Sequence, residues 1–287
     1  MRPHQDERRE ASRGGVGRRA MDALYGIIRW AGGHVRGFHA AVGLYLTVGF
    51  ALALLGLGLF ATLARLVGGG ALHAADTRVL LWLHQHTSPV GDALALAGAA
   101  LGSGTALWIA LLGGSAYFIR SRHLYSLVLL WVALLGGRML DRVLKMTFER
   151  PRPHLFGSEI ELLGWHVEYP QSYSFPSGHA LTSMVIYGTL AYLVARTEPT
   201  RRMRRWTLIG AATLILGIGL SRLYLAVHYP SDVLAGYLAG FAWATFSAYG
   251  IEAVRYFRGR RPGVGRAEAD LGVGMTPVRE ALREEPT

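Results

Sequence analysis

Residues 41 to 64 carry no charged side chain, and the run is mostly apolar from end to end. A helix needs roughly 20 such residues to cross a hydrocarbon core about 30 Å thick, so this segment predicts a membrane span. Five further runs have the same character: 93–119, 124–137, 180–195, 206–221 and 233–251. Three of the six are shorter, at 124–137, 180–195 and 206–221, and each is extended at one end by polar residues. The expected fold class is therefore all-α, a polytopic membrane helix bundle with six transmembrane helices. A composition of 51% hydrophobic and only 17% charged residues points away from a soluble domain. The chain has no Cys, which excludes disulfides, thiolate nucleophiles and cysteine-ligated metals and leaves the redox compartment open.

A net charge of +11 could signal a nucleic-acid partner, but its placement argues otherwise, and no nucleic-acid partner is expected. Of the 30 Lys and Arg, eight lie in residues 1–36, two at Arg120 and Arg122, five between Arg196 and Arg205, and seven between Arg255 and Arg283. With the N-terminus inside and six alternating spans, all 22 fall on the inner side, as the positive-inside bias requires. The other eight are Arg65, Arg78, Arg138, Arg142, Lys145, Arg150, Arg152 and Arg222. The expected organisation is a basic cytoplasmic tail over 1–36, a six-span domain over 37–255 and a mobile cytoplasmic tail over 256–287. The small-residue stretch Ala71–Ala75 is a weak cleavage pattern, and the first span is read as retained. Residues 67–92 read as a loop with a short amphipathic helix in the outer interface. Gly236-x-x-x-Gly240 reads as a helix-packing notch.

Three polar clusters stand at the edges of these runs, where intramembrane charge serves function. In the first, Arg138, Arg142, Lys145 and Glu149 share a face if the third span continues as helix. With Arg152-Pro153, they offer an ammonium and a planar donor fork to a phosphoryl group. The second is Pro176-Ser177-Gly178-His179, at the start of the fourth span. There the N–H groups of Ser177 and Gly178 could face an anion, Ser177 could donate its hydroxyl, and His179 could give or take a proton. The third is Ser221-Arg222 with His228 and Asp232. On a helix, His228 and Asp232 would share a face, so the carboxylate could fix the imidazole tautomer and leave the other nitrogen as a nucleophile. Arg222 adds charge. Each cluster alone also fits a plainer reading: a snorkelling span end, a helix cap with a buried histidine, and a chance His–Asp pair.

Taken together and in this order, Lys-x6-Arg-Pro, Pro-Ser-Gly-His and Ser-Arg-x5-His-x3-Asp resemble the signature of the type 2 phosphatidic acid phosphatase family, whose active site is related to that of vanadium-dependent haloperoxidases. The motifs span residues 145–232, the span pattern extends the likeness over roughly 41–255, and neither tail is covered. The resemblance implies that His228 attacks phosphorus and forms a phosphohistidine while Asp232 orients it. It implies that His179 protonates the leaving oxygen and later activates water, with Lys145, Arg152, Ser177, Gly178 and Arg222 holding the phosphoryl oxygens. It implies no cofactor and no metal.

The implied function is hydrolysis of a lipid phosphate of the undecaprenyl diphosphate, phosphatidate or phosphatidylglycerol phosphate type. The expected partners are that substrate and membrane lipids, in a bacterial plasma membrane, with the site on the extracytoplasmic face. Trp165, Tyr169, Tyr173 and Phe175, between Arg152 and Pro176, could form a small lid, although an interfacial aromatic belt is the preferred reading. Two rival functions remain open on the same fold: phosphotransfer to a sugar or lipid hydroxyl, and a non-catalytic transport or interaction role.

Overall fold

The computed structural model describes residues 38–155, 160–162, 165–167, 169–197 and 199–258. The expected tails lie outside the described residues, apart from 256–258, which continue the last helix. The chain divides into two units, 1–48 and 49–287. In the first, residues 38–48 are opening turns of a helix, where Thr47 Oγ1 donates to the Gly43 carbonyl at 2.8 Å. The second unit holds all the packing and chemistry below.

Eight helices are described: α1 (Phe38–Gly68), α2 (His73–Gln85), α3 (Pro89–Leu101), α4 (Gly104–Arg120), α5 (Leu124–Phe148), α6 (Gly178–Thr197), α7 (Arg201–Tyr224) and α8 (Pro230–Arg258). Their ends follow from local chemistry. Past the end of α1, Gly70 adopts φ +73°, and Ala71 N–H reaches back to the Leu66 carbonyl at 3.0 Å. This is the left-handed stop that glycine makes at little cost. The amphipathic helix expected within 67–92 is α2, which buries Asp76 and Leu80 and exposes Val79, Leu81 and Trp82.

One expectation is corrected. The run 93–119 was read as one span, but it is two helices bent by 53°. Gly102 ends α3, and the Ser103 side chain accepts the Ala106 N–H at 3.3 Å, so a new helix is capped where the old one stops. The described residues are all-α apart from one short hairpin. Between Arg152 and Pro176, β1 (Ile160–Leu162) and β2 (Trp165–Val167) form an antiparallel hairpin, with Ile160 opposite Val167.

By length and composition, Leu46–Gly68, α6 and α7 can each cross a membrane, and the bent α3–α4 pair makes a fourth candidate. The α5 helix carries Arg138, Asp141, Arg142 and Lys145 in its second half. In α8, Gly, Tyr, Trp, Ser and Thr dilute the apolar residues.

The core centres on α6. More than half of its apolar window is buried (56%), against 22% for that of α1. Leu181, Val185 and Ile186 of α6 pack with Leu111 of α4, Leu130 and Ala133 of α5, and Ala235 and Ala239 of α8. The Gly236–Gly240 notch faces α6. A Cβ on Gly236 would lie 2.6 Å from the Ser177 carbonyl oxygen, and one on Gly240 would lie 2.7 Å from that of Leu181. The missing side chains let the α8 backbone approach the first turn of α6, which brings Asp232 to Ser177.

Candidate active site

The first cluster begins where α5 stops. Glu149 has φ +43°, which turns the chain out of the helix, and Pro151 and Pro153 prevent its resumption. This extended Arg-Pro-Arg-Pro segment buries Arg152 to 7% exposure. Its guanidinium donates through Nε to the Ser172 carbonyl at 2.7 Å and through Nη2 to Ser172 Oγ at 3.0 Å and the Tyr173 carbonyl at 3.5 Å. Its Nη1 donates to the Val227 carbonyl at 2.7 Å and lies 3.1 Å from His228 Nε2. All five donors are thus engaged, and one of them points at the imidazole.

Of the charged face expected on α5, only Lys145 turns partly inward. Arg138, Arg142 and Glu149 are exposed. The Lys145 ammonium lies 3.7 Å from the Asp141 carboxylate.

The third cluster is built by the end of α7. Val227 N–H bonds back to the Arg222 carbonyl and Ala226 N–H to that of Leu223, with Ala226 at φ +50°. These bonds form a Schellman stop with alanine in the place usually taken by glycine. The turn carries His228 back under α8. His228 and Asp232 do meet, but not as two residues on one helix face, because His228 precedes α8 and Asp232 sits in its first turn. There Asp232 Oδ2 accepts the Tyr229 N–H at 2.9 Å, satisfying a donor the helix start leaves free. The same oxygen lies 3.5 Å from His228 Nδ1 and accepts the Ser174 hydroxyl. With Arg152 donating toward Nε2 and the carboxylate facing Nδ1, the fitting tautomer carries its proton on Nδ1 and its lone pair on Nε2.

The second cluster closes the site. The Ser177 N–H does not face an anion, as its spacing suggested; it donates to the Asp232 carbonyl at 2.9 Å and ties the α6 start to the α8 start. The Ser177 hydroxyl is buried with no hydrogen-bond partner, and so is Arg222 Nε. Gly178 lies against the Asp141–Lys145 pair: a Cβ there would sit 3.0 Å from Asp141 Oδ1 and 3.2 Å from Lys145 Nζ. The His179 ring lies over Gly102, where a Cβ would meet its Cδ2 at 2.8 Å.

Arg152 reaches His228, the Ser177 N–H bonds the Asp232 carbonyl, and Gly178 lies against Lys145, so these sequence-selected residues lie around one place. Burial holds the His228 ring well below the ordinary imidazole range, at about 3. The Asp232 hydrogen bond works against this and the Arg152 and Arg222 charges add to it. Among the described residues, no group of three or more His, Asp or Glu is arranged to hold a metal ion.

Sequence reasoning missed the groups behind Asp232. Arg150 donates to Asp232 Oδ1 at 2.6 Å and to Asp76 Oδ2 at 2.9 Å, and its guanidinium carbon lies 4.1 Å from the centroid of the Tyr229 ring. The doubled Arg-Pro of 150–153 was the available signal for Arg150, whereas nothing local marked Asp76 or Ser174. The aromatic reading is also corrected for Phe175. It forms neither lid nor belt but is fully buried, with its ring centroid 5.9 Å from that of Phe60 and 5.0 Å from that of Phe148. Tyr169 is half-buried and donates to the Pro153 carbonyl at 2.9 Å, and only Tyr173 is exposed among these three.

A buried imidazole with a carboxylate behind it and cations beside it is an arrangement able to carry phosphoryl transfer through histidine. Residues 126–256 match the family model of the PAP2 superfamily. Phosphatidylglycerophosphatase B of Bacillus subtilis is 30% identical over 133 residues, 46% of this chain and 60% of that protein. An undecaprenyl-diphosphatase of Sulfolobus acidocaldarius is 36% identical over 115 residues, 40% of this chain and 49% of that protein. The matches thus span between about half and three-fifths of these curated relatives. The crystal structure of a transmembrane PAP2 type phosphatidylglycerolphosphate phosphatase from Bacillus subtilis superposes with a TM-score of 0.64 at 25% identity. That superposition covers 72% of this chain and 98% of the other.

Proposed function

We propose that this chain is an integral membrane phosphatase acting on the head group of a lipid phosphate or diphosphate through a phosphohistidine on His228. One observation carries the reading. Ser177 Oγ and Arg222 Nε are buried donors without partners in a site where Lys145, Arg152 and Arg222 also concentrate positive charge. Unpaired buried donors are costly, and a phosphoryl group with its charged oxygens would satisfy them and meet the positive charge around them.

In this reading His228 Nε2 attacks phosphorus, the bond to the lipid oxygen breaks, and His179 gives that oxygen a proton. Water then transfers a proton to His179 and attacks the phosphohistidine, releasing inorganic phosphate and restoring the imidazole. Asp232 orients His228 and offsets the charge that develops on it. Lys145, Arg152, Ser177, the Gly178 amide and Arg222 stabilise the phosphoryl oxygens as charge shifts.

The bundle is read with six spans. The 25 residues of α5 and the 29 of α8 each exceed the bilayer core at about 1.5 Å per residue. Arg120, Arg122 and the Arg196–Arg205 group lie at the ends opposite the site, which supports an extracytoplasmic active site in a plasma membrane. The names of the two relatives favour phosphatidylglycerol phosphate and undecaprenyl diphosphate as the first substrates to try.

The test is phosphate release in detergent, with EDTA present, from those two lipids and phosphatidate, comparing wild type with His228→Ala. Release by the wild type that the variant loses supports the reading. No release from any of the three by folded wild-type protein, or a phosphorylated acceptor in place of free phosphate, overturns it.

A further inference from the structure

Asp76 lies in the first turn of α2, outside the segment that matches the PAP2 superfamily, and is only 4% exposed. Its Oδ1 accepts the Ser231 N–H at 3.0 Å, so it caps the start of α8 from another helix. Its Oδ2 accepts the Ser231 hydroxyl at 2.5 Å and Arg150 Nη2 at 2.9 Å. Arg150 Nη1 in turn donates to Asp232 Oδ1 at 2.6 Å and to Ser231 Oγ at 2.8 Å. One guanidinium therefore bridges two buried carboxylates. Without it they would stand near each other with no intervening cation, and one would give up its charge or move.

The two oxygens of Asp232 divide the work. Oδ1 faces Arg150, and Oδ2 takes the Ser174 hydroxyl, the Tyr229 N–H and the Nδ1 side of His228. The plane of the carboxylate is thus set from behind. Arg150 directs its terminal nitrogens to Asp76, Ser231 and Asp232, so what it holds in this structure is the carboxylate behind His228.

We propose that Arg150 and Asp76 are positioning residues for the reaction: Asp76 fixes Arg150, Arg150 fixes Asp232, and Asp232 is thereby held in the orientation that aims His228 Nε2. This rests on the phosphatase reading above. It makes the interfacial helix α2 a part of the catalytic apparatus.

The experiment measures kcat and KM in detergent for Arg150→Gln and Asp76→Asn, on whichever of phosphatidylglycerol phosphate and undecaprenyl diphosphate the wild type turns over faster. The expected result is a fall in kcat of about tenfold or more with KM within about twofold, because only transition-state geometry is disturbed. In an Asp232→Asn background, Arg150→Gln is expected to cost less than about twofold more, since residues acting as one unit are not additive. Wild-type kcat in either folded variant overturns the proposal, as does a rise in KM alone or a fully additive loss on Asp232→Asn. If both variants fail to elute as folded protein, the pair is structural and the proposal also falls. Silence of the wild type toward both lipids is a different result and overturns the phosphatase reading itself.

Discussion

Arg152 Nη1 lies 3.1 Å from His228 Nε2, the nitrogen proposed to attack phosphorus, while the rest of the guanidinium is anchored to Ser172, Tyr173 and Val227. The arginine therefore does two things with one planar group. It staples the 172–173 segment to the end of the 225–228 turn, and it keeps a donor where a phosphoryl oxygen would arrive. Lysine has the same charge but one compact ammonium on a flexible stem, which cannot span those acceptors. Arg152→Lys is expected to lower kcat by about a hundredfold, the scale of losing one preorganised donor at a developing charge. It should also lower the melting temperature in detergent. Phosphate release and a thermal melt on the same preparation check both; a variant with wild-type kcat would show the fork to be dispensable.

The burial of His228 makes a second prediction, about pH and stability. Its folded pKa of about 3 lies below the ordinary 6.5, so below pH 6.5 the unfolded chain binds a proton that the folded protein resists. The stability contribution is fully present above pH 6.5 and is lost as pH falls toward 3. Between pH 6.5 and 5 the loss from this one ring is on the order of 2 kcal/mol. Wild type is thus expected to lose more melting temperature over that interval than His228→Gln, which has no proton to take up. Parallel melting curves for the two proteins across the interval would contradict the assignment.

Much of this was legible in the sequence because it depends on spacing and on long apolar runs. The runs mark most of the helices, and the three clusters bring together the residues of one site. What was not legible depends on contacts made across the fold. The break at Gly102–Ser103 is a cap hidden inside an apolar run, and the run itself gives no hint of a 53° bend. The His228–Asp232 contact was expected for the wrong reason. A four-residue spacing suggested a shared helix face, but the contact comes from a Schellman stop followed by a new helix start. Phe175 read as a surface aromatic because its partners Phe60 and Phe148 are 115 and 27 positions away. Asp76 is 156 positions from Asp232, and no local pattern links them. Residues that touch the reacting centre cluster near recognisable motifs, whereas those that hold them in place are drawn from wherever the bundle happens to pass.

Ser177 separates a folding role from a chemical one. Its N–H already ties the α6 start to the Asp232 carbonyl, and replacing the side chain leaves that bond in place. Its hydroxyl, by contrast, is fully buried and has no partner. An unsatisfied buried hydroxyl destabilises the folded state, so Ser177→Ala removes a cost of about 1 kcal/mol or more and leaves only a small gap where the oxygen was. If the hydroxyl is there to meet a phosphoryl oxygen, the same change removes a donor used when charge shifts in the transition state. The expected outcome is a split: a melting temperature equal to or above wild type, with kcat/KM lowered by about tenfold to a hundredfold. Such opposed effects are typical of residues kept for function at the expense of stability. A melt and a phosphate-release assay on one preparation decide the matter. A destabilised variant with unchanged kcat/KM would mean that the hydroxyl belongs to the packing of α6 and not to the chemistry.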